Sequence, residues 1–461
     1  MARLWPSAQA STLALPYTVR PMSETLPPPS LLLTLVFSAA LLAGLLLKTW
    51  LASRQIRHVA LHRAQVPAPF DGHITLAAHH KAADYTLAKL RLGLLDLMLS
   101  AAVLLCWTLL GGLDLLNQAL LALLGGGMVQ QLALLGCFSL IAGLLALPLQ
   151  WWQTFVVEQR FGFNQMTQRL WLADLLKSTV LSAVIGLPLA ALILWLMQAT
   201  GGLWWLWAWG AWAAFTLLMM VVYPLFIAPL FNQFKPLDDP ALAERVNALM
   251  QRCGFTVQGF YVMDGSRRSA HANAYFTGFG AAKRVVFFDT LLKQLAPRQI
   301  EAVLAHELGH FKHKHIAKRI ALSLLLGLLA FALLGWLATR GWFYTGLGVQ
   351  PNLMLDGVAG SAPNDALALL LFALAAPVFT VFITPLMAQL SRHDEFQADA
   401  YAAQQTSGAE LAGALLTLYQ DNASTLTPDP LYARFYYSHP PAAERLAHLQ
   451  LFPSSTKAAP A

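Results

Sequence analysis

Charge is what this chain has least of: Asp, Glu, Lys and Arg together make up 11% of its 461 residues, under half the share of about 25% usual in soluble domains. That scarcity excludes an ordinary water-soluble domain, which needs a charged surface. Cysteine is also sparse. Cys106, Cys137 and Cys253 are scattered, two of them in apolar runs, which excludes a disulfide framework and a thiolate metal site and leaves them as packing residues. Clusters of basic and aromatic residues are missing too. The net charge of +7 is spread between apolar stretches, so nucleic acid is not an expected partner.

Apolar length is abundant instead. Hydrophobic residues make up 57% of the chain, with fourteen tryptophans. About 30 Å of hydrocarbon takes about 20 helical residues to cross. Seven charge-free windows qualify: between Glu24 and Lys48, between Asp96 and Asp114, after Gly125-Gly126-Gly127, two within 178–234, 320–339 and 366–391. The pair within 178–234 is divided at Thr200-Gly201-Gly202, which predicts a helical hairpin. Pro188, Pro377 and Pro385 are tolerable as kinks in membrane helices. A signal peptide is the competing reading of the first window, but its apolar run is too long and Lys48 follows it. Residues 1–29, rich in proline, are expected to be unstructured, and Met22 is a second candidate start.

Seven spans leave alternating loops, and Lys and Arg orient them. Segments 48–91, 158–177, 235–319 and 392–461 hold 27 of the 30 basic residues; the other side has only Arg3, Arg20 and Arg340. The expectation is an integral, multi-pass protein in a lipid bilayer, N-terminus outside, with both large polar segments on the cytoplasmic side. The expected organisation is a disordered segment at 1–29, five membrane helices at 30–234, the first half of a polar domain at 235–319, two membrane helices at 320–391, the second half at 392–452 and a disordered tail at 453–461. The segment from 235 ends in a helix, and its runs GFYVM and RVVFF, separated by turn residues, suggest a small sheet.

That helix carries the chemistry. His306, Glu307 and His310 form H-E-x-x-H in EAVLAHELGHFKHKH, and helical spacing puts both imidazoles on one face, where they can bind one zinc ion. The extended form of the motif fails, because His313 stands at its glycine position and Ile316 at its last histidine. A third ligand must come from elsewhere. Glu395 is the best candidate, with Asp399 one turn later to hold the free nitrogen of a ligand histidine. Read from the residues alone, that pair is equally an ordinary solvated face. His313 and His315 read as membrane-proximal basic residues.

HELGHFKHKH, SRHDEFQADAYA, SRRSAHANAYFTGFGAAKRVVFFDTLL and YYSHPPAAERL, with EQRFGFNQMT at 158–167 and PLFNQFKPL at 229–237, together resemble the type I CAAX prenyl protease family. The resemblance spans about residues 30–450. It implies a mainly α, polytopic membrane protein with about seven helices around a chamber, plus a small α+β zinc metallopeptidase domain. It also implies that one zinc is held by His306, His310 and Glu395, with Glu307 as general base. Asn273, His439 and Arg445 match positions that hold substrate or polarise the scissile carbonyl. His313 departs from the family, which more often has an apolar residue there.

The expected activity is therefore zinc-dependent endopeptidase cleavage of extended segments. Three protein ligands leave one position open for water, and Glu307 takes that water's proton. The oxyanion is then held by the metal and, on the family pattern, by His439 or Arg445. A strand edge near Asn273 and Ala274 can pair with an extended substrate. The expected partner is a peptide or protein, lipidated or membrane-associated, acted on by a monomer. Two alternatives stay open: a quality-control peptidase indifferent to prenyl groups, and a transporter or channel with a structural zinc. The second is disfavoured, because a structural site fills all four positions and has no use for Glu307.

Overall fold

The computed structural model describes residues 27–256, 259–277, 284–352 and 363–450. The expected disordered ends, 1–29 and 453–461, fall outside these apart from 27–29, as does Met22. Among the described residues, seven helices are long and apolar enough to cross a membrane: Pro29–Leu61, Leu76–Trp107, Met128–Glu158, Gln168–Ala199, Gly201–Phe231, His315–Leu337 and Asp365–Gln405. The hairpin break lies at Gly201–Leu203, as its glycines predict.

Two of the expected boundaries are corrected. The second span is not the window between Asp96 and Asp114. Its helix starts at Leu76 and stops at Trp107, because Gly111 adopts φ 77° and the chain turns so tightly that a Cβ on Gly112 would lie 2.5 Å from the Cys106 carbonyl oxygen. Asp114 falls in a separate short helix, Gly112–Leu124. Asp96 sits inside the long helix, which is tolerable because it lines a large cavity together with Lys48 and Lys89. The helix at the end of the seventh span does not stop at 391. After Asp365–Thr380 and a tight turn at Val381–Ile383, a new helix runs from Thr384 to Gln405. Pro385 occupies its first turn, where a missing N–H breaks no helical bond. SRHDEFQADAYA thus continues the helix that begins at Thr384.

A membrane core gathers Phe37, Leu113, Leu134, Leu194 and Leu371 from helices far apart in sequence. A second core joins Val246, Leu249, Phe287, Ile300, Leu304 and Leu308 to Ala402, Leu411 and Ala414, so the two polar segments fold as one unit. Four strands order as β1 (Phe234–Pro236), β2 (Gly259–Met263), β4 (Arg284–Phe288) and β3 (Ala274–Thr277). Strands β2 and β4 are parallel; β1 and β3 add antiparallel on either side. Val285, Val286 and Phe287 are all buried, which accounts for the unbroken apolar run of β4. Ala274 opens β3, an outer strand of the sheet.

Candidate active site

The helix Pro297–Lys312 starts on a proline, and the Gln299 side chain accepts the Ala296 N–H at 3.0 Å. Ile300, Leu304 and Leu308, spaced by four, bury one stripe against the core, and His306 and His310 lie on a neighbouring stripe facing Thr384–Gln405. The two helices touch at Gly309. A Cβ there would lie 2.8 Å from the Ala398 Cα and 3.1 Å from its carbonyl oxygen, so only glycine allows this approach.

That crossing sets His306 and His310 opposite Glu395. Nε2 of His306 and Nε2 of His310 are 3.3 Å apart, and each lies 3.4 Å from a Glu395 carboxylate oxygen. Two ligands about 2.0–2.1 Å from a tetrahedral zinc are about 3.3–3.4 Å apart, so this donor set fits the ion. Among the described residues, it is the one group of three or more His, Cys, Asp or Glu side chains that could hold a metal. Asp399, fully buried, accepts from Nδ1 of His306 at 2.8 Å, leaving Nε2 turned towards Glu395. Burial disfavours charge on His306, but its bonds to Asp399 and Glu395 outweigh this and raise the imidazole to about 9.

Glu307 stands beside these residues with its carboxyl pushed above the ordinary range by withdrawal from water. Nε2 of His439 lies 3.5 Å from Glu395 Oε1, while its side chain remains 63% exposed. Arg445 is 6% exposed and donates to Asp399 through Nε at 2.8 Å and through a terminal nitrogen as well. Its guanidinium therefore backs the His306–Asp399 pair. Both His439 and Arg445 line a cavity of about 1150 Å³, which continues along the Leu76–Trp107 helix past Leu90, Gly93 and Leu97. Asn273 is exposed just before β3; its side-chain oxygen accepts the Ala274 N–H at 2.8 Å, and its carbonyl accepts the Phe288 N–H at 3.0 Å.

Two groups of residues escaped the sequence reading. His315 is 1% exposed, not a surface basic residue, and its Nδ1 lies 3.0 Å from Nδ1 of His310. The signal was present in HELGHFKHKH, but spacing alone does not say that the turn at Lys314, φ 58°, folds His315 back. Glu158, at the end of the third span, accepts from the Tyr85 hydroxyl at 2.7 Å and from Gln153 at 2.6 Å, with His271 at 3.7 Å. His271 in turn stacks on Phe163 and meets Asn422 at 3.1 Å. This node joins the membrane half to the loop that leads into β3.

Comparisons with known proteins agree with this architecture. Residues 55–233 match the family model "CAAX prenyl protease N-terminal, five membrane helices", and residues 236–451 match Peptidase family M48. CAAX prenyl protease 1 of Saccharomyces cerevisiae is 38% identical over 331 residues, 69% of this chain and 72% of that protein. The Homo sapiens CAAX prenyl protease 1 homolog is 32% identical over 358 residues, 70% of this chain and 74% of its own length. The crystal structure of S. mikatae Ste24p superposes with a TM-score of 0.83 at 32% identity, covering 92% of this chain and all of that one. With both halves matched in order, the chain belongs to the CAAX prenyl protease branch of Peptidase family M48 and is an integral, multi-pass membrane metalloprotease.

Proposed function

We propose that this protein is a CAAX prenyl protease-like zinc endopeptidase that cleaves extended tails admitted to the cavity beside its site. The observation that carries the reading is the donor triangle of His306, His310 and Glu395 with Glu307 beside it. A zinc ion bound there supplies a Lewis acid and a water acidic enough to deprotonate near neutrality. Glu307 takes the proton of the attacking water and passes it to the leaving amine, a role suited to a carboxyl raised by burial. His439, close to Glu395 yet mostly exposed, donates to the carbonyl oxygen as charge builds on it. Asn273 and Ala274 hold the substrate backbone at the outer edge of β3. Asp399 fixes the tautomer of His306, and Arg445 holds Asp399.

The cavity supports an amphiphilic substrate. Its wall combines polar groups near the site and the charges of Lys48, Lys89 and Asp96 with Leu90, Leu94 and Leu97 on a membrane helix, a mixture that suits a peptide carrying an apolar group. The named relatives are prenyl proteases. The orientation proposed is N-terminus outside and peptidase unit cytoplasmic, and the working form is a monomer. The test uses the purified full-length protein. Glu307→Gln is expected to retain zinc and lose peptide cleavage, and Glu395→Ala to lose zinc. Peptides co-purifying with Glu307→Gln should be lipidated C-terminal tails. Interior fragments of membrane proteins would favour a quality-control role, and near-normal cleavage by Glu307→Gln would remove that residue from the mechanism.

A further inference from the structure

We infer that His315 is the positioning residue for His310, so that the helix bearing Glu395 orients both metal-facing histidines by two different routes. The inference rests on the reading of His310 as a ligand. His310 presents Nε2 to Glu395 at 3.4 Å, which leaves Nδ1 to carry the ring proton when Nε2 binds a cation. That proton needs an acceptor, and Nδ1 of His315 lies 3.0 Å away. To accept there, His315 must be neutral with its own proton on Nε2, and this nitrogen meets Gln397 Oε1 at 2.9 Å, with Asp394 at 3.4 Å. The amide of Gln397 then donates to His393 at 2.9 Å. Each bond in the chain from His310 to His393 thus pairs one donor with one acceptor, and the direction of each bond fixes the next.

The anchors of this chain, Asp394 and Gln397, are three apart on the helix Thr384–Gln405 and share a face. Glu395 and Asp399, four apart, share an adjacent one. One helix therefore supplies a carboxylate to both histidines, catches His306 directly through Asp399, and catches His310 through His315. A second direct carboxylate would add negative charge to a buried site already holding Glu395 and Asp399; a neutral imidazole accepts the same proton without it. Asp394 is itself engaged by Arg319 at 3.2 Å. Because His315 opens the membrane helix His315–Leu337, the metal site is also tied to the packing of that helix against its neighbour.

The test is chelator competition for zinc on the purified full-length protein. His315→Leu, which removes the acceptor, is expected to weaken zinc binding about 10- to 100-fold, the usual cost of losing such a partner. His315→Asn places an amide oxygen near the position of Nδ1 and should recover most of that loss. Thermal stability of the metal-free protein should be alike for both variants. Zinc affinity unchanged in His315→Leu overturns the inference, as does equal loss in Leu and Asn, which would make His315 a packing residue. His310→Ala separates the two readings: if it keeps full zinc affinity, the assignment of His310 as a ligand fails first.

Discussion

His439 sits 3.5 Å from Glu395 Oε1, about as near as His306 and His310 at 3.4 Å, yet its side chain is 63% exposed where theirs are 9% and 14%. Proximity favours a ligand; exposure and the rigid Pro440-Pro441 that follow favour a group that meets substrate. The second reading predicts that His439→Ala keeps full zinc stoichiometry and lowers turnover about 100- to 1,000-fold, with the loss in kcat more than in KM. Metal analysis and steady-state kinetics on one preparation check it; zinc lost along with activity would make His439 a ligand. The roles proposed for His306, Glu307 and His310 were legible in the spacing H-E-x-x-H, since residues four apart share one helical face. Those of His315 and Arg445 were not, because each depends on a partner brought by folding: His310 across a turn, and Asp399 46 residues away.

Between elements, the decisive contact is the crossing of Pro297–Lys312 with Thr384–Gln405. Gly309→Ala puts a Cβ 2.8 Å from backbone of the facing helix, which cannot swing aside as a side chain would. The helices must separate by some tenths of an ångström, pulling Glu395 from the two histidines. Gly309→Ala should therefore lower zinc affinity at least about 10-fold and activity with it. Gly413→Ala is the contrast. Its Cβ would meet only the end of the Gln299 side chain at 3.0 Å, and helix propensity should make it neutral or stabilising by up to about 1 kcal/mol. Equal damage from both would show that the Gly309 contact is not special. The sequence foresaw the H-E-x-x-H helix and the helical turn from Glu395 to Asp399, but helical stripes do not declare which glycine meets which alanine.

On the scale of the whole molecule, the membrane half is fastened to the peptidase unit at several helix ends. Arg54 meets Asp429 at 2.9 Å, Arg268 meets Asp174 at 2.9 Å, and Tyr85 and Gln153 close on Glu158 beside His271. Arg54 is near the end of the first span, Glu158 ends the third and Asp174 is near the start of the fourth. Under an alternating path these ends share one face, the face where basic residues accumulate, which supports the proposed orientation. A single cysteine at Gly341 in a cysteine-free background should react with an impermeant thiol reagent in intact cells, and one at Gly72 only after permeabilisation. The reverse pattern would turn the protein over.

Local physics along the chain is enough for seven apolar stretches of crossing length, a surplus of Lys and Arg on alternate loops, and two histidines and a glutamate at helical spacing. Each follows from neighbours within a few turns of chain. The tertiary structure decided which distant segments meet. The match of Glu395 to His306 and His310 needed two helices pressed together at Gly309. The hydrogen-bond routes through Asp399 and His315, and the Glu158 node, needed polar groups to find partners up to 151 residues away, as His271 does with Asn422. Burial forces such partnerships, since an unbonded polar group in the interior costs about 1–3 kcal/mol, but only the assembled fold says with whom.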